Sequence, residues 1–408
     1  MRAKPWDSHA FRLPNGLRVV HVSHPHLDGE DAVTMRVPIG TRHPPAGGGA
    51  FLALLLGGDT PAELGYSSLR WTLSAPLSDA LTAVVEGVWR TQPDDAAVTA
   101  TWSRVHAWAH LARTSPAVAA MLASHYAVFP HDTSYSAAWP GPTSGRPPPA
   151  PIVADLWRRV APRMCHLVVA SDRPAHEVEK IVREHPLAAW RSVRDAVRAP
   201  RREVRVRAPL VLVQRAPIAS ATGSHSVLAG VVAPVAGARG HDGELLPFLS
   251  RVPLPAGLHS SVWAHGPVSV WALWGSDPAE VAGGGSTILA DAAAVYREVA
   301  VEGISLETAR RVSYAIEADL RRICERAELL AAYVAGTLDP SDPAHPPSPP
   351  FRPSTFSRRL RVLGAGLARP RVMLVAPPGC GLDTDAGRRA LRWVNLDRKG
   401  PLRHTPRG

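Results

Sequence analysis

Short apolar runs bounded by proline and glycine recur along the chain, and stretches with helical periodicity lie between them. Runs of this kind predict strands, which fall at residues 11–20, 33–40, 166–170, 211–218 and 372–376. The helical periodicity predicts helices at residues 79–90, 94–113, 116–126, 152–160, 175–184, 287–301 and 305–335. Ser78 and Ser305 are the predicted caps of two of these helices. Strands at both ends with helices between them predict an α+β fold, a mostly antiparallel sheet covered by helices on one face.

The two halves of the chain resemble each other. Each half has an apolar strand that breaks at a proline, and each follows it with a strand that ends in Gly-x-Arg, at residues 40–42 and 237–239. Each also finishes with a strand, a loop and a helix that reaches a tryptophan, Trp190 or Trp393. This repeat predicts two homologous domains, residues 1–200 and 201–408, joined by an arginine-rich linker at residues 194–207.

Bulk composition indicates a globular protein of the cytoplasm. The 408 residues are 45% apolar and 20% charged, and they contain no apolar stretch of the roughly 18 residues that a membrane-spanning helix needs. No apolar signal core follows the N-terminus, so we expect no export. The three cysteines are widely spaced, which indicates neither a disulfide framework nor a metal cluster, and a reducing cytosol is the natural compartment.

The formal charge of +11 is almost entirely arginine, since the lysines are Lys4, Lys180 and Lys399. Arginine and alanine excess with little lysine is typical of a GC-rich coding sequence, and no motif of a nucleic-acid reader accompanies it. We therefore expect no nucleic-acid partner. The remaining functional interpretation of the charge is a basic face that attracts acidic peptides or an acidic partner protein.

Several short segments follow one another in a distinctive order. They are the Leu-Pro-Asn-Gly turn at residues 13–16, the Gly-Thr-Arg turn at 40–42, a glycine-led helix start at 47–60, residues 125–135, which contain Phe-Pro and a following His-Asp-Thr-Ser-Tyr turn, and residues 156–172, with a Ser-Asp turn at their end. In order and spacing these segments resemble the insulinase/pitrilysin family of zinc peptidases, which includes mitochondrial processing peptidase. The resemblance implies two α+β domains that enclose half of a chamber, facing a second such pair.

The resemblance also implies where the catalytic residues would lie. Phe51, Leu54 and Leu55 occupy the positions of the family's His-x-x-Glu-His motif. Zinc hydrolysis needs two imidazoles and a carboxylate on the metal and a further glutamate as the base, and these three side chains supply none of them. The family's distal glutamate is also missing, because no carboxylate occurs between Asp95 and Asp132.

The second half lacks the arginine and tyrosine with which the family contacts substrate. The corresponding stretch, residues 258–268, contains neither residue type. The candidate substrate contacts that remain there and in the next strand are His259, Ser260, Ser261 and Trp271. Trp271 and Trp274 lie in the same short apolar strand, where both would line a peptide groove.

Other groupings carry weaker signals. His106 and His110 are four apart on a predicted helix and hence on one face, a spacing that allows metal chelation, although no glutamate neighbours them. His21, His24 and His26 lie at a strand end and turn, where histidine is ordinary surface. Two triple-glycine runs, at residues 47–49 and 283–285, lack the Lys-Ser/Thr of a phosphate-binding loop. We interpret all of these as structural.

These observations predict a catalytically inactive subunit that binds no zinc and no other cofactor. Its partner would be a homologue with an intact zinc motif, and the heterodimer would be a zinc metalloendopeptidase acting on a peptide substrate, with no membrane involved. A bacterial pair that trims leader or precursor peptides of natural products is the expected setting. The alternative is a stand-alone, non-enzymatic peptide-binding or scaffold protein of the same fold. A relocated zinc site at His106 and His110 is a third hypothesis.

Overall fold

The structure is a computed structural model that describes residues 6–40, 51–53, 62–64, 68–89, 94–114, 117, 120, 124, 151, 161–191, 212–214, 227–236, 249–265, 268–277, 284–299, 305–337, 371–375, 393–395 and 403–405. Packing divides the chain into two compact units. The first comprises residues 1–107, 141–201 and 317–349, and the second comprises residues 108–140, 202–316 and 350–408. The units are therefore interleaved along the sequence, and the division into domains at residue 200 stays a prediction.

Six strands form the sheet of the first unit. They are β1 (Asp7–Arg12), β2 (Arg18–Ser23), β3 (Ala32–Val37), β4 (Glu63–Leu64), β5 (Leu69–Ser74) and β6 (His166–Ala170), in the order β1-β2-β6-β3-β5-β4. β2 and β6 run parallel, and the other neighbours are antiparallel. Every residue of β6 is buried, as expected for a strand in the middle of a sheet that is covered on both faces.

The predicted Pro-Asn-Gly turn joins β1 to β2. Gly16 has φ +87°, a left-handed conformation that favours glycine, and its N–H donates to the carbonyl of Leu13 over 2.9 Å. The Asn15 side chain accepts from the N–H of Leu17 and donates to the carbonyl of Leu187, which ties the turn to the following part of the unit. The turn thus fixes the register in which Arg12 faces Arg18.

The second sheet repeats the topology of the first. Its strands are β7 (Leu212–Gln214), β8 (Val227–Ala236), β9 (Leu258–His265), β10 (Val268–Asp277) and β11 (Arg371–Val375), in the order β7-β11-β8-β10-β9. β7 and β11 are parallel and the remaining neighbours antiparallel, as in the series β2-β6-β3-β5-β4. The internal similarity of the sequence corresponds to this shared arrangement. A two-stranded sheet pairs β12 (Trp393–Asn395) with β13 (Arg403–Thr405).

The described helices are α1 (Leu77–Trp89), α2 (Asp95–Thr114), α3 (Ala175–Glu184), α4 (Gly284–Arg297), α5 (Leu306–Glu325) and α6 (Ala327–Thr337). Ser305 caps α5 as predicted, since its hydroxyl accepts from the N–H of Thr308. Ser78 does not cap α1, because the helix begins one residue earlier and the carboxylate of Asp31 accepts from the N–H of Leu77. The single helix predicted at 305–335 is two helices that break at Arg326.

Helices pack on both faces of the first sheet. Val20 and Val22 of β2 pack in one cluster with Leu330 and Val334 of α6. Because successive side chains of a strand point to opposite faces, Val19 and His21 lie on the other face. Their β1 partners there, Phe11 and His9, contact Arg183 and Glu179 of α3. The predicted α+β class with a mostly antiparallel, helix-covered sheet is confirmed, and the cover extends to both faces.

Three further predictions fall wholly or mostly outside the described residues. They are the arginine-rich linker at residues 194–207 and the helices at 116–126 and 152–160. Within the described parts of the chain, no helix has the length and apolar character that crossing a membrane requires.

Candidate functional site

The position at which the resemblance implies a zinc motif is part of the apolar core. Residues 51–53 are helical, and Phe51, Leu52 and Ala53 are 0%, 0% and 1% exposed. The Phe51 ring lies 6.4 Å from the Trp102 ring, centroid to centroid, at an interplanar angle of 41°. Leu54 and Leu55 lie outside the described residues. Phe51 therefore fills space against α2, at the position where the resemblance implies the first zinc-binding imidazole.

The facing stretch of α2 is aromatic and apolar. Val98, Trp102 and Val105 are buried, and the indole N–H of Trp102 has no hydrogen-bond partner among the described residues. His106 is half-buried with its ring edge-on to Trp102, the centroids 5.3 Å apart. The side chain of His110 lies outside the described residues, so chelation by the pair stays untested. The rings of Phe51, Trp102 and His106 thus form a chain of aromatic contacts.

The residues present do not fit a catalytic zinc ion. Phe51 has no atom that can coordinate a metal, and zinc binding requires nitrogen, sulfur or carboxylate ligands. Trp102 offers only an N–H donor, which is not a ligand. Over the described residues, no group of three histidine, cysteine, aspartate or glutamate side chains is placed to hold a metal ion. No step of metal-assisted hydrolysis can be derived at this position.

The four candidate substrate contacts of the second unit divide between two faces of its sheet. Trp271 is 1% exposed, stacks on Tyr296 of α4 with ring centroids 5.9 Å apart, and donates its indole N–H to the Ser260 hydroxyl over 3.0 Å. Ser260 in turn donates to the carbonyl of Leu249 over 2.5 Å. Ser260 and Trp271 thus belong to the helix-covered face, where Trp271 is buried and Ser260 is half-buried.

His259 and Ser261 lie on the opposite face of β9 together with Trp274. The Trp274 indole N–H donates to the Ser261 hydroxyl over 3.0 Å, and the exposed His259 ring lies 4.6 Å from the Trp274 ring. Gly230 is opposite Trp274 on β8, where a Cβ would collide with the Leu273 carbonyl oxygen and lie 2.9 Å from the Trp274 Cα, so the glycine permits the close approach of the two backbones. Of the predicted set, these two residues have a position from which a peptide can be contacted, and the role of all four stays a prediction.

A buried polar cluster in the first unit resembles a hydrolase triad in composition only. Ser171 donates its hydroxyl proton to Asp31 over 2.5 Å, and His21 Nε2 lies 3.2 Å from the carbonyl oxygen of Ser171. Because a carbonyl only accepts, His21 Nε2 must carry the proton there and cannot serve as a base toward the hydroxyl. Ser171 is fully buried. The cluster is structural, and sequence reasoning missed Asp31 as its centre.

A row of basic side chains crosses the first sheet at one end. Directly paired positions on successive strands are Arg12 with Arg18, Arg18 with His166, His166 with Arg36, and Arg36 with Arg70, and Arg70 pairs with Glu63. We call these residues the basic row. Opposed residues on neighbouring strands share a face, so all six side chains lie on the face that carries α6. Sequence reasoning missed the row because it depends on sheet register.

His166 is the buried centre of the basic row. It is 5% exposed, and its Nε2 has no hydrogen-bond partner among the described residues. Burial, followed by the charges of Arg36, Arg18 and Arg12, lowers the pKa of His166 from 6.5 to about 4. The imidazole is therefore neutral at pH 7, and a proton on it would be both desolvated and repelled.

We expect acid to destabilise the first unit through His166. Its folded pKa is below its unfolded value, so the unfolded chain binds the extra proton first as pH falls below 6.5, and stability is lost progressively down to about pH 4. The loss between pH 7 and pH 5 should be about 2 kcal/mol. Urea unfolding at both pH values measures it. His166→Gln should remove that part of the pH dependence, whereas substitution of the exposed His176 by glutamine should retain it.

Comparisons with known proteins address the fold. No protein-family model and no curated protein sequence matches the chain. Solved structures match over most of its length. A protease from Helicobacter pylori is 13% identical with a TM-score of 0.72, covering 92% of this chain and 100% of that one. A peptidase M16 inactive domain from Pseudomonas fluorescens is 10% identical with a TM-score of 0.65, covering 91% and 98%.

Pitrilysin matches as well, at 15% identity and a TM-score of 0.60, over 92% of this chain and 45% of pitrilysin. The fold is that of the M16 peptidases. This confirms the α+β fold that the resemblance to the insulinase/pitrilysin family implied. Identities this low establish the fold alone, so the chemistry of this chain has to be argued from its own residues.

Proposed function

We propose that this chain is the non-catalytic subunit of a heteromeric M16-type zinc peptidase. A homologue with an intact His-x-x-Glu-His motif binds the zinc ion and cleaves the peptide, and this chain completes the chamber and helps to hold the substrate. The expected substrates are leader or precursor peptides in a bacterial biosynthetic setting. The fold of the H. pylori protease and of the P. fluorescens inactive domain supports the architecture on which this proposal depends.

The observation that carries the proposal is the burial of Phe51. A zinc-binding imidazole in this family must reach the metal from the face of its helix. Here the residue at that position is 0% exposed and packed on Trp102. Restoring a zinc ligand at this position would therefore also remove a side chain of the apolar core. A side chain with this packing role favours a subunit that contributes structure and surface while its partner supplies the chemistry.

Reconstitution with a homologue tests the proposal. The chain, a homologue from the same genome that has the intact motif, and an equimolar mixture are each assayed with an internally quenched peptide. We expect cleavage by the mixture only, together with co-elution of the two chains on size exclusion. The pair in which the motif glutamate of the homologue is replaced by glutamine should still co-elute and should not cleave. Metal analysis should find zinc in the pair and none in this chain alone.

Other results would favour the other hypotheses. A chain that binds no homologue and leaves its activity unchanged contradicts the subunit role. Peptide affinity in the absence of any homologue would favour the stand-alone binding protein. Stoichiometric zinc in the isolated chain that disappears on replacing His106 and His110 by alanine would establish a relocated metal site.

A further inference from the structure

One side of helix α5 is open to solvent and carries an aromatic side chain. Tyr314 is 70% exposed, and the one other large apolar side chain exposed among the described residues is Leu329, at 36%. The opposite side of α5 is buried through Val312, Ile316 and Leu320. Single exposed hydrophobic residues are ordinary on protein surfaces, so Tyr314 indicates a binding surface only together with its neighbours.

The neighbours of Tyr314 form a regular pattern along the helix. Residues three, four, seven and eight positions apart share one side of a helix. Two exposed arginine pairs therefore flank Tyr314, residues 310–311 one turn before it and residues 321–322 two turns after it, and the exposed residues between them are Ala315 and Ala318. We call these seven residues the α5 face. Because all of them belong to one helix, their spacing follows from helix geometry alone.

The arginines of the α5 face are available to a partner. Within the part of the chain that the structure describes, no ion pair or hydrogen bond engages the side chains of Arg310, Arg311 and Arg321. Arg322 lies 4.0 Å from the Asp319 carboxylate, and 71% of its side chain is exposed. Residues 310–322 contain four arginines against two carboxylates, and those two are half-buried. The exposed charge of this stretch is thus positive.

We infer that the α5 face docks an acidic helix of a partner protein, with Tyr314 as the apolar anchor. Tyrosine and arginine are enriched among the residues that contribute most to protein–protein affinity. Ala315 and Ala318 project little from the backbone, so a partner helix can approach closely beside the Tyr314 ring. The inference goes beyond the proposed function, because it does not require the partner to be the catalytic homologue.

The spacing of the arginine pairs specifies the partner further. The pairs are eleven residues apart, which is three helical turns and a rise of about 16 Å. A helix that lies along α5 matches them with carboxylates at the same spacing and an apolar side chain midway, and guanidinium groups suit carboxylates well. A nucleic acid fits less well, because the exposed carboxylates of Glu307 and Glu325 follow at the two ends of the face, where a phosphate backbone would continue.

Binding of synthetic helical peptides to the isolated chain tests this inference. Fluorescence anisotropy at low salt uses an alanine-based peptide with two glutamate pairs eleven residues apart and a leucine midway. Its glutamine counterpart and a peptide with all the glutamates at one end are the comparisons. The first peptide should bind about tenfold more tightly than the glutamine counterpart, because several modest charge pairs act together, and more tightly than the third. The preference should diminish as ionic strength rises.

Variants of α5 locate the surface. Tyr314→Ala should weaken binding of the glutamate peptide about tenfold, and Tyr314→Phe should retain most of it. The double variant Arg311→Glu with Arg321→Glu should lose the preference for glutamate and should bind a counterpart peptide with lysines in place of the glutamates. All three positions are exposed, so these variants should fold. Arg191→Glu, at an exposed arginine elsewhere in the chain, should behave like the native protein.

Equal affinity for the glutamate and glutamine peptides would overturn the inference. So would a Tyr314→Ala variant that binds like the native chain, or a double variant that still prefers glutamate over lysine. Tighter binding of a single-stranded oligonucleotide than of the glutamate peptide would overturn it in favour of a nucleic-acid surface. Because binding is measured without a homologue, the α5 face can fail this test while reconstituted peptidase activity stands, and it can pass where reconstitution fails.

Discussion

Replacing Phe51 by alanine should lower the free energy of unfolding of the first unit by about 3–5 kcal/mol. The side chain is 0% exposed and its ring packs on Trp102. Truncation removes the burial of the ring and leaves a cavity in a core that also contains Leu52 and Ala53. Urea unfolding followed by tryptophan fluorescence measures the loss, and Trp102 contributes to the signal of the 12 tryptophans.

Two controls separate packing from any other role of Phe51. Phe51→Leu keeps most of the apolar volume and should cost less than half as much as the alanine variant. Phe11→Ala removes the same ring from a half-buried position on β1, where it contacts Arg183, and should cost well under the Phe51→Ala value. A Phe51→Ala loss near 1 kcal/mol or smaller would contradict the core role and weaken the case that the zinc position has become structural.

The class of the fold was predictable from local patterns. The strand at 166–170 and the helix at 175–184 agree with β6 and α3 residue for residue. Their boundaries are marked in the sequence, by the prolines at 162 and 174 and by His185-Pro186. The cap of α1 was not predictable in this way. Its acceptor, Asp31, is 46 residues away from Leu77 in sequence and comes close only when the sheet forms.

At the candidate site, too, some features follow from single residues and others depend on residues far apart in the sequence. That Phe51 cannot bind zinc follows from its chemistry alone, but that it is buried against Trp102 requires the pairing of two helices 51 residues apart. The division of His259, Ser260, Ser261 and Trp271 between two faces of the sheet has a simple reason. Alternate residues of a strand face opposite sides, and α4 covers only the side of Ser260 and Trp271.

The basic row could not be inferred from the amino-acid composition. The overall charge of +11 has a plain explanation in arginine-rich coding, and nothing in the sequence distinguishes Arg12, Arg18, Arg36 and Arg70 from the other arginines. Four strand registers, each set by its own hydrogen bonds, align them with His166. A one-residue slip in any strand would move its arginine to the other face.

Replacing Asp31 by alanine should cost about 2–5 kcal/mol, because it leaves two buried donors without an acceptor. The Asp31 carboxylate is buried, accepts from the Ser171 hydroxyl over 2.5 Å and from the Leu77 N–H over 3.0 Å, and lies 3.5 Å from Nε of Arg173. It joins the start of β3, the end of β6 and the first turn of α1. Its negative charge at that helix start adds a favourable interaction with the helix dipole.

Denaturant unfolding and the reconstituted peptidase assay together test this role. Asp31→Ala should lower the denaturation midpoint and reduce pair activity only as far as it reduces the folded fraction, because His21 is bound to a backbone carbonyl and no nucleophile is formed at Ser171. Asp172→Ala, at the exposed neighbour of Ser171, should change the free energy of unfolding by less than about 0.5 kcal/mol. A Ser171→Ala variant that folds as stably as the native chain yet abolishes cleavage by the pair would contradict the structural assignment and place chemistry in this subunit.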